Sequence, residues 1–205
     1  MEGMKDIVNL DINFLGGSAY DDDIGVWNGT GACSTHHGES DCYADLYNLC
    51  ARSTSNETLE VYWPFTECMF ESQGNLCPDS WTGEDCGASA YNSTAFDAVF
   101  TKCSSNLGKD AADAILDCAV TGAHDAMAAF GKQLLVDNFA TSAQSNPAGK
   151  PIWINVDGKL VDEAAFETPD AWGDAVLEAV CSAYMELNAA SPAPSACYES
   201  AAKAK

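Results

Sequence analysis

The sequence predicts a disulfide-rich α/β fold on three observations: an extended apolar run near the N-terminus, an Asp-Gly hairpin at residues 157–158, and helix-period segments around them. The 205 residues suit one domain over 1–205, and 47% hydrophobic residues suffice for a core. Lys+Arg 9 against Asp+Glu 31 gives a net charge of -22, which repels a polyanion, so no nucleic-acid partner is expected. No stretch reaches the roughly 18 consecutive apolar residues of a membrane span.

Taken in order, Ile7, Leu10, Ile12 and Phe14 lie in IVNLDINFL, a β-branched and aromatic run closed by Gly16-Gly17, which predicts a strand. From Ser18 to Ser40 the composition turns to Gly, Asp, Ser and Thr and predicts a polar loop. Asp41 to Cys50 and Glu57 to Phe70 carry Tyr43, Leu46, Leu49, Leu59, Trp63 and Cys68 at spacings that predict two helices. Residues 72–94 are rich in Gly, Pro, Ser and Asp and form an expected inserted loop around Cys77 and Cys86.

Ala95 to Leu107, Lys109 to Ala119 and Ala123 to Ala140 predict three more helices. In the last, Met127, Phe130 and Leu134 form an expected core stripe, and His124 beside Asp125 is expected as a partly exposed helical residue. IWINV, Asp157-Gly158 and KLV predict a hairpin with a type I′ turn. Thr168 as N-cap and Pro169 as first residue open a helix whose Val176, Val180, Ala183 and Leu187 are expected to face inward, followed by a small, polar tail over 191–205. One strand, several helices, a hairpin and a terminal helix describe a fold of thioredoxin type with a helical insertion and without its first strand.

The ten cysteines are Cys33, Cys42, Cys50, Cys68, Cys77, Cys86, Cys103, Cys118, Cys181 and Cys197. An even count with no C-x-x-C pair predicts a disulfide framework and an oxidising compartment. Sequons at Asn28, Asn56 and Asn92 agree. Cys33, His36, His37 and Cys42 could be imagined as zinc ligands. The eight residues between Cys33 and Cys42 miss the usual close pairing, so neither metal nor cofactor is expected. The N-terminus has no secretory apolar region, and the chain is therefore expected to be a mature, processed or truncated form.

The stretch His36 to Cys50 resembles the signature of the gamma-interferon-inducible lysosomal thiol reductase family, C-Q-H-G-x-x-E-C-x-x-N with a further cysteine eight residues on. His37 and Gly38 match, Asp41 stands for the glutamate, Cys42 matches, Asp45 replaces the asparagine, and Cys50 falls at the family spacing. Thr35 occupies the first cysteine position, and Cys33 stands two residues before it to take over its disulfide role. TECMFES, FTKC, ILDCAV, PIWINVDGKLVDE and AVCSAY resemble later segments of the family in the same order, and Cys77 and Cys86 fall outside its pattern.

The resemblance implies a thioredoxin-like scaffold that reduces disulfides of protein substrates in a lysosomal, endomembrane or secreted setting. It also implies that the catalytic C-x-x-C lies upstream of Glu2, so that no catalytic residue is expected within the chain. The family's proline directly precedes the hairpin tryptophan, whereas here Ile152 precedes Trp153 and Pro151 stands one residue earlier, near the expected active-site wall. The competing expectation is a non-catalytic, disulfide-stapled lumenal or extracellular subunit whose acidic surface seeks a basic protein partner.

Overall fold

The computed structural model describes residues 8, 11–14, 39–72, 92–122, 124, 126–145, 154–161, 168–189, 191–195 and 197–198. Among them the protein is mostly helical, with six α-helices and one two-stranded antiparallel sheet. It divides into two compact units, Ile12–Gly149 and a second made of Met1–Asp11 with Lys150–Lys205.

In the first unit, α1 (Glu39–Thr54) is the central helix, with α2 (Leu59–Glu71), α4 (Lys109–Ala119) and α5 (Ala129–Ser145) packed around it. From Cys42 to Ala51 every residue of α1 is buried, as expected of a helix surrounded on all sides. α3 (Ser93–Cys103) packs on α2 and brings Phe96 against Tyr47 with ring centroids 5.7 Å apart. Phe65 of α2 meets Phe100 of α3 at 5.8 Å and Cys68 bonds Cys103, so the two helices pair in step and run in the same direction.

A second bridge, Cys50–Cys118, ties α1 to α4 across 68 residues of sequence. Loop-closure entropy makes each of these two bridges worth about 4 kcal/mol against the unfolded chain. α5 approaches still more closely: a Cβ on Gly131 would lie 2.4 Å from the Cys118 carbonyl oxygen and 2.6 Å from Leu46 Cδ1. Only a residue without a side chain lets the helices pack at this distance.

Two sequence expectations change in this unit. Ile12 to Phe14 form no strand, because their backbone groups bond side chains instead. Phe14 N–H donates to Asn138 Oδ1 at 2.8 Å and the Ile12 carbonyl accepts from Arg52 at 3.3 Å. The helix expected from Ala123 starts at Ala129. Before it, Thr121 N–H donates to the Ala126 carbonyl and Ala128 N–H to the Ala119 carbonyl, and Val120 bridges Met127. This tight turn uses the backbone groups a helix would need.

The buried face of α5 accordingly holds Gly131, Leu135, Asn138, Phe139 and Ser142. Of the expected stripe, Met127 and Leu134 pack partly against the core, but Phe130 is 57% exposed.

In the second unit, β1 (Ile154–Val156) pairs antiparallel with β2 (Lys159–Val161) in the register Ile154↔Val161, Asn155↔Leu160 and Val156↔Lys159. Asp157 at φ 48 and Gly158 at φ 75 supply the two left-handed residues of the expected turn. α6 (Pro169–Leu187) packs on both strands. Thr168 caps it through a hydrogen bond from Ala171 N–H at 3.2 Å. Cys181 bonds Cys197 and pins the start of the tail, and Val8, Leu177, Val180 and Ala193 pack around the pair. Val176 and Ala183 are half-buried, whereas Leu187, the last residue of the helix, is 72% exposed.

Candidate functional site

The signature segment is described from its helical part onward. Asp41, Cys42, Asp45 and Cys50 all lie on α1, while His37, Gly38, Thr35 and Cys33 lie outside the described residues, as do Pro151 and Trp153. At 3.6 residues per turn, Asp41 and Asp45 stand one above the other, and Cys42 shares that side of the helix. The eight residues from Cys42 to Cys50 rise about 12 Å along the axis, too far for these two sulfurs to bond each other.

They bond elsewhere. Cys50, with no exposed surface, pairs with Cys118 at a Cα–Cα distance of 5.7 Å. Cys42, equally buried, is disulfide-bonded as well. Cys68 pairs with Cys103 and Cys181 with Cys197, so no described cysteine is free. The Cys181–Cys197 bridge is local, with a sequence separation of 16, and Cys77 and Cys86 lie outside the described residues.

Asp45 gives this helix its electrostatic character. The residue is only 9% exposed, and burial pushes its carboxyl well above the ordinary range, with the negative charge of Asp41 adding to the shift. Asp41 sits near the N-terminus of α1, where the helix dipole favours an anion, but Asp45 lies deeper and loses that support. The arrangement suits a carboxyl that holds a proton inside a stapled core.

Thiol–disulfide exchange needs a thiolate with access to the sulfur it attacks. The Cys50–Cys118 bridge and the Cys42 sulfur are closed to such an approach by burial, and in this geometry Cys50–Cys118 holds α1 to α4. Among the described residues, no group of three His, Cys, Asp or Glu side chains is placed to hold a metal ion. No helix among them is long and apolar enough to cross a membrane.

One pair escaped the sequence reading. His124 lies in the α4–α5 turn at φ 54 rather than in a helix, and its Nδ1 is 2.8 Å from Asp97 Oδ1 on α3. Twenty-seven residues separate the two, and no local pattern links them. The bond fastens the turn to α3, and no nucleophile is described beside it. Of the three sequons, Asn56 is exposed on the α1–α2 turn at φ 51 and Asn92 is the exposed N-cap of α3, while Asn28 lies outside the described residues. No family model, curated protein or solved structure matches the chain.

Proposed function

We propose that this chain is a disulfide-stapled module of a lumenal or extracellular compartment that works by holding a protein partner rather than by turning over disulfides. The observation that carries the reading is the state of the cysteines. All seven described ones are paired, and Cys42, Cys50, Cys103, Cys118, Cys181 and Cys197 are buried. Such sulfurs resist both reduction and attack. Bridges of this number persist where the surroundings are oxidising. The net charge of -22 selects a basic partner and makes the association weaken as salt rises.

A second reading keeps the scaffold and restores catalysis. The order His37-Gly38, Asp41-Cys42, Asp45 and Cys50 supports kinship with the lysosomal thiol reductase family, with its thioredoxin-like architecture. The C-x-x-C would then be supplied from outside residues 1–205, and disulfide-containing proteins would be the substrates. One experiment separates the readings: the whole protein isolated from its native source, with any segment that flanks residues 1–205, is added in oxidised form to a disulfide-bonded protein substrate with a thiol reductant at pH 4.5 to 7. The module leaves the rate at that of the reductant alone. Catalytic acceleration overturns the module reading in favour of the reductase.

A further inference from the structure

The sequons at Asn56 and Asn92 lie 36 positions apart, and nothing in the sequence brings them together. The helices do. Phe65 touches Phe100 and, one turn on, Cys68 bonds Cys103, so α2 and α3 run in the same direction. Helices that run the same way start at the same end, so Asn92, the N-cap of α3, and Asn56, in the turn that precedes α2, lie at one end of the pair. Lys102 Nζ, near the end of α3, correspondingly donates to Ser72 Oγ at the end of α2, at 3.0 Å.

We infer that Asn56 and Asn92 both carry N-linked glycans and that these two sugars cover one end of the helical unit. The inference rests on the oxidising-compartment reading above, because the transfer takes place there. Both asparagines are exposed, as are Thr58 and Thr94, the third residues of their sequons.

The chemistry fits the bonds already made. In the transfer, Asn Nδ2 forms a bond to the anomeric carbon of a lipid-pyrophosphate-linked oligosaccharide. The bond from that carbon to the pyrophosphate oxygen breaks, the lipid pyrophosphate leaves as an anion, and one amide proton goes to the transferase base. Oδ1 takes no part. At Asn92, Oδ1 is the atom that caps α3, accepting from Ala95 N–H at 3.1 Å, so the cap and the sugar occupy different atoms of one carboxamide. At Asn56 the left-handed backbone turns the chain back at the surface. This end of the unit is thereby closed to a protein partner, and the basic partner proposed above must dock elsewhere.

The test directs the full chain into the secretory pathway of a eukaryotic cell. Cysteine pairing, and the aspartates left when an amidase releases N-glycans, are then read from the same sample by mass spectrometry. Conversion at both Asn56 and Asn92 is expected. Thr58→Val and Thr94→Val should each remove one glycan, whereas Thr58→Ser and Thr94→Ser should keep it. Thr58 makes no side-chain cap bond, and the Asn92 cap is untouched by the change at Thr94, so the fold survives.

Periodate oxidation followed by a short dihydrazide should then join the two glycopeptides within one molecule. Unmodified Asn56 or Asn92 in a chain whose disulfides have formed overturns the inference and leaves the compartment reading intact. Both sites occupied with no intramolecular cross-link overturns the shared end. Cysteines that remain thiols overturn the compartment reading, and this inference falls with it.

Discussion

The Asn138 carboxamide holds the segment before Phe14 with both of its polar atoms: Oδ1 accepts from Phe14 N–H at 2.8 Å, and Nδ2 donates to Asn13 Oδ1 at 2.9 Å. Asn138 is itself buried on α5, so residues 12–14 are fastened by a side chain 124 positions away. Truncating it leaves a backbone donor without a partner, which costs about 1–3 kcal/mol. Asn138→Ala should therefore lower stability by that amount and speed hydrogen exchange at the Phe14 amide. Unchanged exchange at Phe14 would show that the segment is held by something else.

Gly131 marks the closest packing of α5 on its neighbours. Gly131→Ala gains helix propensity but drives a methyl group into the Cys118 carbonyl oxygen, which is backbone and cannot turn aside. A net loss of about 1–3 kcal/mol is expected, measured as a shift in the denaturation midpoint. A stabilised variant would mean that α4 and α5 lie farther apart.

Thr66 presents the opposite case. Its Oγ1 is buried on α2 with no hydrogen-bond partner among the described residues, so the hydroxyl is desolvated for no return. Thr66→Val keeps the shape and the β-branch and should raise stability by about 1 kcal/mol. Destabilisation by this change would assign the hydroxyl a bond in solution.

Asp45 sets a pH dependence whose sign follows from burial. Its folded carboxyl titrates well above the unfolded value of about 3.9, so the ionised form is the one the fold disfavours. This residue therefore weakens the fold at neutral pH. As pH falls through the folded pKa toward the unfolded one, folding takes up a proton and that loss is recovered. Asp45→Asn, the asparagine of the resembled signature, should be more stable than the native chain at pH 7 and lose most of that advantage near pH 4. Chemical denaturation of both proteins across this range measures it, and parallel curves would remove Asp45 as the cause.

The parts of the fold legible in the sequence are those written locally. The Asp157-Gly158 turn, the Thr168 cap before Pro169 and the span of α4 each depend on a few adjacent residues and stand as expected. Residues 12–14 differ from the expected strand because alternation reports burial, and Phe14 is partly buried by packing on the core, its ring 6.4 Å from that of Phe70 on α2, while its N–H bonds Asn138 on α5. The face of α5 was misread because its buried residues include Gly131, Asn138 and Ser142, which no hydrophobic pattern displays.

At the candidate site, the spacing from Cys42 to Cys50 placed both on one helix. Pairing with Cys118 is a tertiary choice that ten cysteines leave open. The His124–Asp97 bond likewise depends on how α3 meets a turn, and on nothing local to either residue.

The central claim is that these disulfides are structural. It is tested most directly by equilibrating the native protein in redox buffers of decreasing potential, alkylating, and mapping the opened cysteines by mass spectrometry. The account predicts that Cys42, Cys50–Cys118, Cys68–Cys103 and Cys181–Cys197 stay closed down to about -300 mV, the range of structural bridges in secreted proteins. Opening of the Cys42 or Cys50 bridge near the glutathione potential, with the protein still folded, would contradict it and mark α1 as a working redox element.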